Sequence, residues 1–102
     1  MRAVAALVDP TRRTIVELLA DGELDAGQIA GRFAISRPAV SRHLRVLRDL
    51  GLVHVRAEAQ RRVYSLEPAP LAELDAWLAR YRAFWQNRLD ALETELARGR
   101  KR

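Results

Sequence analysis

Residues 36–51, Ser-Arg-Pro-Ala-Val-Ser-Arg-His-Leu-Arg-Val-Leu-Arg-Asp-Leu-Gly, constrain this chain more than any other stretch. Ser36 suits a helix N-cap, and Pro38 then falls in the first helical turn, where a missing amide donor costs little. Ile35 before the cap and Val40 within the helix fit a hydrophobic staple. Val40, Leu44 and Leu47 recur at helical spacing and define one buried stripe. The opposite side carries Arg37, Ser41, Arg42, Arg45 and Arg48, and Gly51 suits a left-handed C-terminal cap. An apolar back, an arginine-rich front and small polar residues near the N-terminus match what a DNA major groove accepts. The stretch reads as a recognition helix.

The charge distribution points the same way. The 102 residues carry a net charge of +5. Seven arginines between positions 36 and 62 (37, 42, 45, 48, 56, 61, 62) face only Asp49 and Glu58, so this segment alone holds +5. The remainder balances eleven basic against eleven acidic residues. Such concentration is the electrostatic footprint of a polyanion binder. With 49% apolar residues a packed core is available, and the length fits one domain burying about 60–70% of its unfolded surface. The chain has no cysteine, which excludes disulfides, thiolate metal sites and a cysteine nucleophile. No apolar run approaches the roughly 20 residues that span a bilayer, and no signal peptide precedes the first helix, so a cytoplasmic protein with no membrane partner is expected.

From the N-terminus, residues 2–8 form a short apolar helix or arm with Val4, Leu7 and Val8 available for packing. Asp9-Pro10 starts a second helix, which continues through Ile15, Val16, Leu18 and Leu19 and stops at Asp21-Gly22. Arg12 and Arg13 lie near its start, where phosphate contact and solvated surface are both open to them. Asp25 begins a third helix, with Gln28 completing a capping box and Leu24 and Ile29 a staple. Ile29, Ala30 and Phe33 face inward, and a tight connection leads to Ser36. Two short helices so joined, the second with a basic face, make a helix-turn-helix over 25–50.

Leu52 to Arg56 and Arg61 to Leu66 read as two strands, a hairpin directly after a recognition helix and hence a wing over 52–66. Its tip, Glu58-Ala59-Gln60, lacks the glycine that tight turns favour, which predicts a longer, looser loop. After Glu67-Pro-Ala-Pro70 one long helix is expected over 70–98. Leu71, Leu74, Leu78, Tyr81, Trp85, Leu89, Leu92 and Leu96 form a seam close to a heptad register, widened by Trp77 and Phe84. One small domain cannot cover so much apolar surface. The same helix of a second subunit is the expected partner, with Leu74, Leu78, Tyr81, Trp85, Leu89 and Leu92 as dimerisation residues, against the alternative of a seam closed within the chain. A basic tail over 99–102 is expected to be disordered. The predicted architecture is mainly α with a small β-hairpin, a winged helix-turn-helix in the order α-α-α-α-β-β-α within one domain over 1–98, dimerising through its terminal helices.

This order of elements resembles the ArsR (SmtB/ArsR) family of bacterial winged-helix repressors. The resemblance rests on Asp9-Pro-Thr-Arg-Arg-Thr-Ile-Val-Glu-Leu-Leu, on Ser-x-x-x-Val-Ser-x-His-Leu at 36–44 continuing to Val53, and on Arg61-Arg-Val-Tyr-Ser-Leu. It covers nearly the whole chain. It implies a homodimer on a pseudo-palindromic operator in double-stranded DNA, with two recognition helices in major grooves about 34–36 Å apart. It places Ser36, Arg37, Ser41, Arg42 and His43 at or near the DNA, and Arg61 and Arg62 on the wing. Arg37 and Arg42 are the expected base readers, Ser41 assists, and Ser36, Arg45, Arg61 and Arg62 hold phosphates. For His43, packing at the helix edge is the competing reading. The family's metal chemistry does not carry over. Residues 23–28, where a metal box would lie, have no cysteine, the last helix has no histidine, and His43 and His54 stand on separate elements. The chain resembles the metal-independent branch with its SdpR-type repressors, whose final helix is similar to residues 85–90 here. No cofactor is expected, and an effector of unidentified chemistry remains open, with Trp77, Tyr81, Phe84 and Trp85 as an aromatic lining or as dimer core.

Two other classes fit the sequence less well. A winged-helix module for protein partners is disfavoured by the one-sided charge. An enzyme is disfavoured because no paired carboxylates, activated nucleophile or phosphate-cradling glycine loop is found.

Overall fold

Local capping chemistry sets the starts of three helices in the computed structural model, which describes residues 1–100, Arg100 by its backbone only. Helix α1 (Arg2–Leu7) leads into α2 (Pro10–Ala20), whose N-cap Asp9 accepts from the amides of Thr11 and Arg12 at 2.8 and 3.1 Å. Strand β1 (Leu24–Asp25) runs straight into α3 (Ala26–Ala30). There Asp25 and Gln28 form the reciprocal capping box, both bonds at 2.8 Å. Helix α4 (Arg37–Asp49) is capped by the Ser36 hydroxyl, which accepts from the Ala39 amide at 3.3 Å. It ends in a Schellman motif around Gly51 at φ +77°: the Leu52 amide donates to Leu47 O at 2.9 Å and the Gly51 amide to Arg48 O at 3.0 Å. Leu47 and Leu52, the apolar pair such a motif brings together, are both fully buried.

Strands β2 (Val53–Glu58) and β3 (Arg61–Leu66) pair antiparallel from Val53↔Leu66 to Glu58↔Arg61. Two features of this sheet differ from expectation. It has three strands in the order β1-β3-β2, because Leu24 and Asp25 pair with Tyr64 and Val63; two residues are too few to show an alternating pattern. The wing tip is also a tight two-residue turn, not a loose loop. Ala59 adopts φ +55°, the conformation a glycine would have supplied, and the strand therefore reaches Glu58.

Ile15, Val16, Leu19, Ile29, Val40, Leu44, Leu47, Leu52, Val53 and Tyr64 close one core, with Phe33, Ala30 and Leu24 packed on its edge. Ala3 and Ala6 are the buried residues of α1, while Val4 and Val8 stay exposed, as does Ile35 of the anticipated staple. Arg12 is used internally. Its Nε donates to Ala6 O at 2.8 Å, satisfying a carbonyl at the end of α1.

The predicted single terminal helix is two: α5 (Pro68–Ala79) and α6 (Arg82–Arg100). No glycine or proline marks the break. At Arg80 and Tyr81 the amides donate to Trp77 O and Leu78 O, so the ladder tightens to i→i−3 for two residues. The rings of Trp77 and Tyr81 pack at 4.9 Å, and Arg82 bridges to Asp75 at 3.3 Å. Gly99 and Arg100, expected in the tail, lie in α6; Lys101 and Arg102 fall outside the described residues. The radius of gyration, 18.6 Å, exceeds the roughly 13 Å of a compact chain this long. An unpartnered helix extending from the core accounts for the difference.

Candidate nucleic-acid interface

The stripe Val40–Leu44–Leu47 anchors α4 in the core, and the 3.6-residue period then turns Arg37, Ser41, Arg42, Arg45 and Arg48 outward, all exposed. The wing brings β3 alongside. Arg37, Gly27, Asp25 and the wing residues Gln60, Arg61 and Arg62 border one groove. Ser41, Arg45, Arg48 and Asp49 with Arg62 and Tyr64 border the next. Arg62 thus borders both grooves between the wing and α4. The Arg37 guanidinium lies across α3, so close to Gly27 that a Cβ there would sit 3.4 Å from Nη2.

The arginines of this surface divide into two sets. Arg56 is bound by Glu23 and by Glu58, the latter at 2.9 Å, and the two carboxylates raise its pKa. Arg61 donates from Nε to Asp25 Oδ2 at 3.1 Å. Among the described residues, Arg37, Arg42, Arg45, Arg48 and Arg62 have no ion-pair partner. Exposed cations gathered on one surface without ion-pair partners repel one another, and a polyanion relieves that repulsion. Arg48, to which the family resemblance assigns no contact, follows Ser41 and Arg45 at helical spacing and borders the same groove.

His43 stands apart from this row. It is half-buried with Nδ1 3.9 Å from Asp9 Oδ1, on the side of α4 that meets α2. The Asp9 carboxyl is held below its ordinary pKa mainly by the Arg12 amide, with the Thr11 amide and the nearby His43 contributing. His54 lies on β2, 4.0 Å from Glu67. Among the described residues no three His, Asp or Glu side chains converge where a metal could bind. No helix is long and apolar enough to cross a membrane among those residues.

A second surface lies on the terminal helices. Leu74, Leu78 and Trp85 are half-buried, whereas Trp77 is 42% exposed, Tyr81 42%, Phe84 63%, Leu89 50%, Leu92 56% and Leu96 53%. Met1 and Val4 of α1 add exposed apolar surface.

Comparison with known proteins agrees with this geometry. Residues 9–55 match the family model described as bacterial regulatory protein, arsR family. The HTH-type transcriptional regulator Rv2034 of Mycobacterium tuberculosis is 50% identical over 86% of this chain and 79% of its own length. The transcriptional repressor SdpR of Bacillus subtilis is 37% identical over 74% and 84%. An ArsR-like transcriptional regulator from Rhodococcus sp. RHA1 superposes with a TM-score of 0.74 at 32% identity, covering 91% of this chain and 85% of that one. The homodimeric winged helix-turn-helix DNA-binding domain Mb0332 from Mycobacterium bovis gives 0.64 at 30% identity, covering 80% and 76%. With these relatives, a winged helix-turn-helix and a row of unpaired arginines on its exposed helix, the chain belongs to the ArsR family of DNA-binding transcriptional regulators.

Proposed function

We propose that the chain is a homodimeric repressor that acts in the cytoplasm on a pseudo-palindromic operator. The observation that carries this reading is the set of exposed arginines without ion-pair partners among the described residues, Arg37, Arg42, Arg45 and Arg48 on α4 with Arg62 on the wing. Arg37 and Arg42 near the N-terminus of α4 read base edges with Ser41, since a guanidinium matches guanine O6 and N7. Arg45, Arg48 and Arg62 hold phosphates. Ser36 does so as well: its hydroxyl accepts the Ala39 amide and keeps its own proton to donate. His43, close to Asp9, supports the seat of α4 on α2 and meets DNA only at the edge of the contact.

The exposed seam on α5 and α6 supports self-association, as in the homodimeric Mb0332 domain, and SdpR is by name a repressor. Trp77, Tyr81, Phe84 and Trp85 belong to that dimer surface, with an effector acting by altering how the two copies meet. The test is fluorescence anisotropy on DNA from upstream of the gene and on random DNA across a salt series. Preference for the upstream DNA, saturating at two protomers per site, is expected. Arg42→Ala should weaken that DNA by about 1–3 kcal/mol more than random DNA. Equal weakening of both would move Arg42 to the phosphates, and no binding at low salt would leave a protein partner as the reading.

A further inference from the structure

Asp25 is legible in the sequence as a helix cap, and the structure shows it making a second contact. Its Oδ1 accepts the Gln28 amide at 2.8 Å, while its Oδ2 accepts from Nε of Arg61, 36 residues away on the wing, at 3.1 Å. Both oxygens are thus engaged, and the Gln28 amide first, then Arg61, hold this carboxyl below its ordinary pKa. Asp25 also lines the groove between Arg37 and the wing. Glu23, two residues earlier and so on the same side of an extended chain, holds Arg56 in parallel fashion.

A carboxylate bordering a polyanion-binding groove is unfavourable unless it does something a neutral cap cannot. Capping alone needs no charge: Ser36 caps α4 on the same surface without one, and Asn caps as well as Asp. What the charge adds is the hold on Arg61. A guanidinium engaged through Nε has its plane defined, and its two terminal nitrogens still point a pair of donors away from the carboxylate. An arginine meeting a phosphate gains less from such aiming, because a phosphate offers several equivalent oxygens and carries no sequence information. An arginine meeting a base edge gains much, because there the two acceptors lie at set positions.

We propose that Asp25 is a positioning residue for sequence recognition: it aims Arg61 across the groove, so that the wing reads DNA sequence through Arg61 while Arg62 supplies the phosphate contact. This rests on the DNA-binding reading above.

Asp25→Asn separates the two contacts, because the amide oxygen can still cap α3 while the charge is gone. The wild-type protein is first used to enrich a duplex from a random-sequence library. Anisotropy then compares that duplex with a scrambled one of the same composition. The ratio of the two affinities should fall about fivefold in Asp25→Asn, with scrambled DNA bound as tightly as before or more so. Arg61→Ala should lower the ratio too, and Asp25→Asn should add nothing in that background. An unchanged ratio in Asp25→Asn, or additive losses in the double variant, would reduce Asp25 to a cap and overturn the proposal. If the wild type enriches no duplex, the DNA-binding reading itself falls and takes this proposal with it.

Discussion

Helix α4 and helix α6 carry the same apolar spacing and meet different fates. In α4, Val40, Leu44 and Leu47 sit three and four residues apart and are almost completely buried, against α2, α3 and the sheet. In α6, Leu89, Leu92 and Leu96 repeat that spacing and remain half or more exposed. The caps differ as well: α4 begins on a serine cap and ends in a glycine-centred Schellman motif, whereas α6 follows a two-residue tightening with neither glycine nor proline. Periodicity therefore identifies which face of a helix seeks apolar contact, and not where the covering surface comes from. For α4 it comes from elements folded beside it in the same chain. For α6 the described chain offers none, and a second copy is the assignment proposed above.

Placing two charges in the α6 seam tests this contrast most severely. Leu89→Glu with Leu92→Glu should convert the dimer to a monomer in sedimentation and lower operator affinity about a hundredfold or more, because two half-sites lose their mutual effective concentration. The circular dichroism of the winged half should survive. A dimer that persists would show that α6 is not the interface, and loss of all structure would show that the winged half cannot stand without it. The next effect is in the other helix. Leu47→Ala empties a fully buried site and should cost about 2–5 kcal/mol in chemical denaturation. Leu92→Ala should cost less, and in a way that depends on protein concentration. Equal, concentration-independent losses would erase the distinction.

The smallest change sharpens the comparison at the wing, where a local rule is broken. Ala59→Gly should raise stability by about 0.5 kcal/mol, since relief of a left-handed alanine (about 1–2 kcal/mol) outweighs the entropy glycine adds to the unfolded chain. A loss of stability would mean that the turn is not strained.

Most of the winged half is legible in the sequence because its signals are local. Asp9, Asp25 and Ser36 each satisfy amides two or three residues away, and such reach is visible in any reading of the chain. The exposed row of arginines follows from the same period once the buried stripe is known. The surface charge was legible too, but its partition was not. Arg56 and Arg61 are held by Glu23 and Asp25, partners 33 and 36 positions away, and no spacing rule connects them. The tight wing turn was missed because Ala59 stands where a turn rule asks for glycine; the register of two strands outweighed the preference of one residue.

The sequence by itself determined where α2, α3 and α4 start, which faces they bury, and that excess positive charge lies on α4 and the wing. Hydrogen bonds at helix ends and a repeat of 3.6 residues act over one or two turns, so they survive any arrangement of the rest. Only the tertiary structure decided that Leu24 and Asp25 add a third strand, that His43 faces Asp9, that Arg12 closes the end of α1, and which arginines stay unpaired. Each of these depends on elements distant in the chain meeting at one place, and that is settled when the shared core around Ile15, Ile29, Leu47 and Leu52 closes.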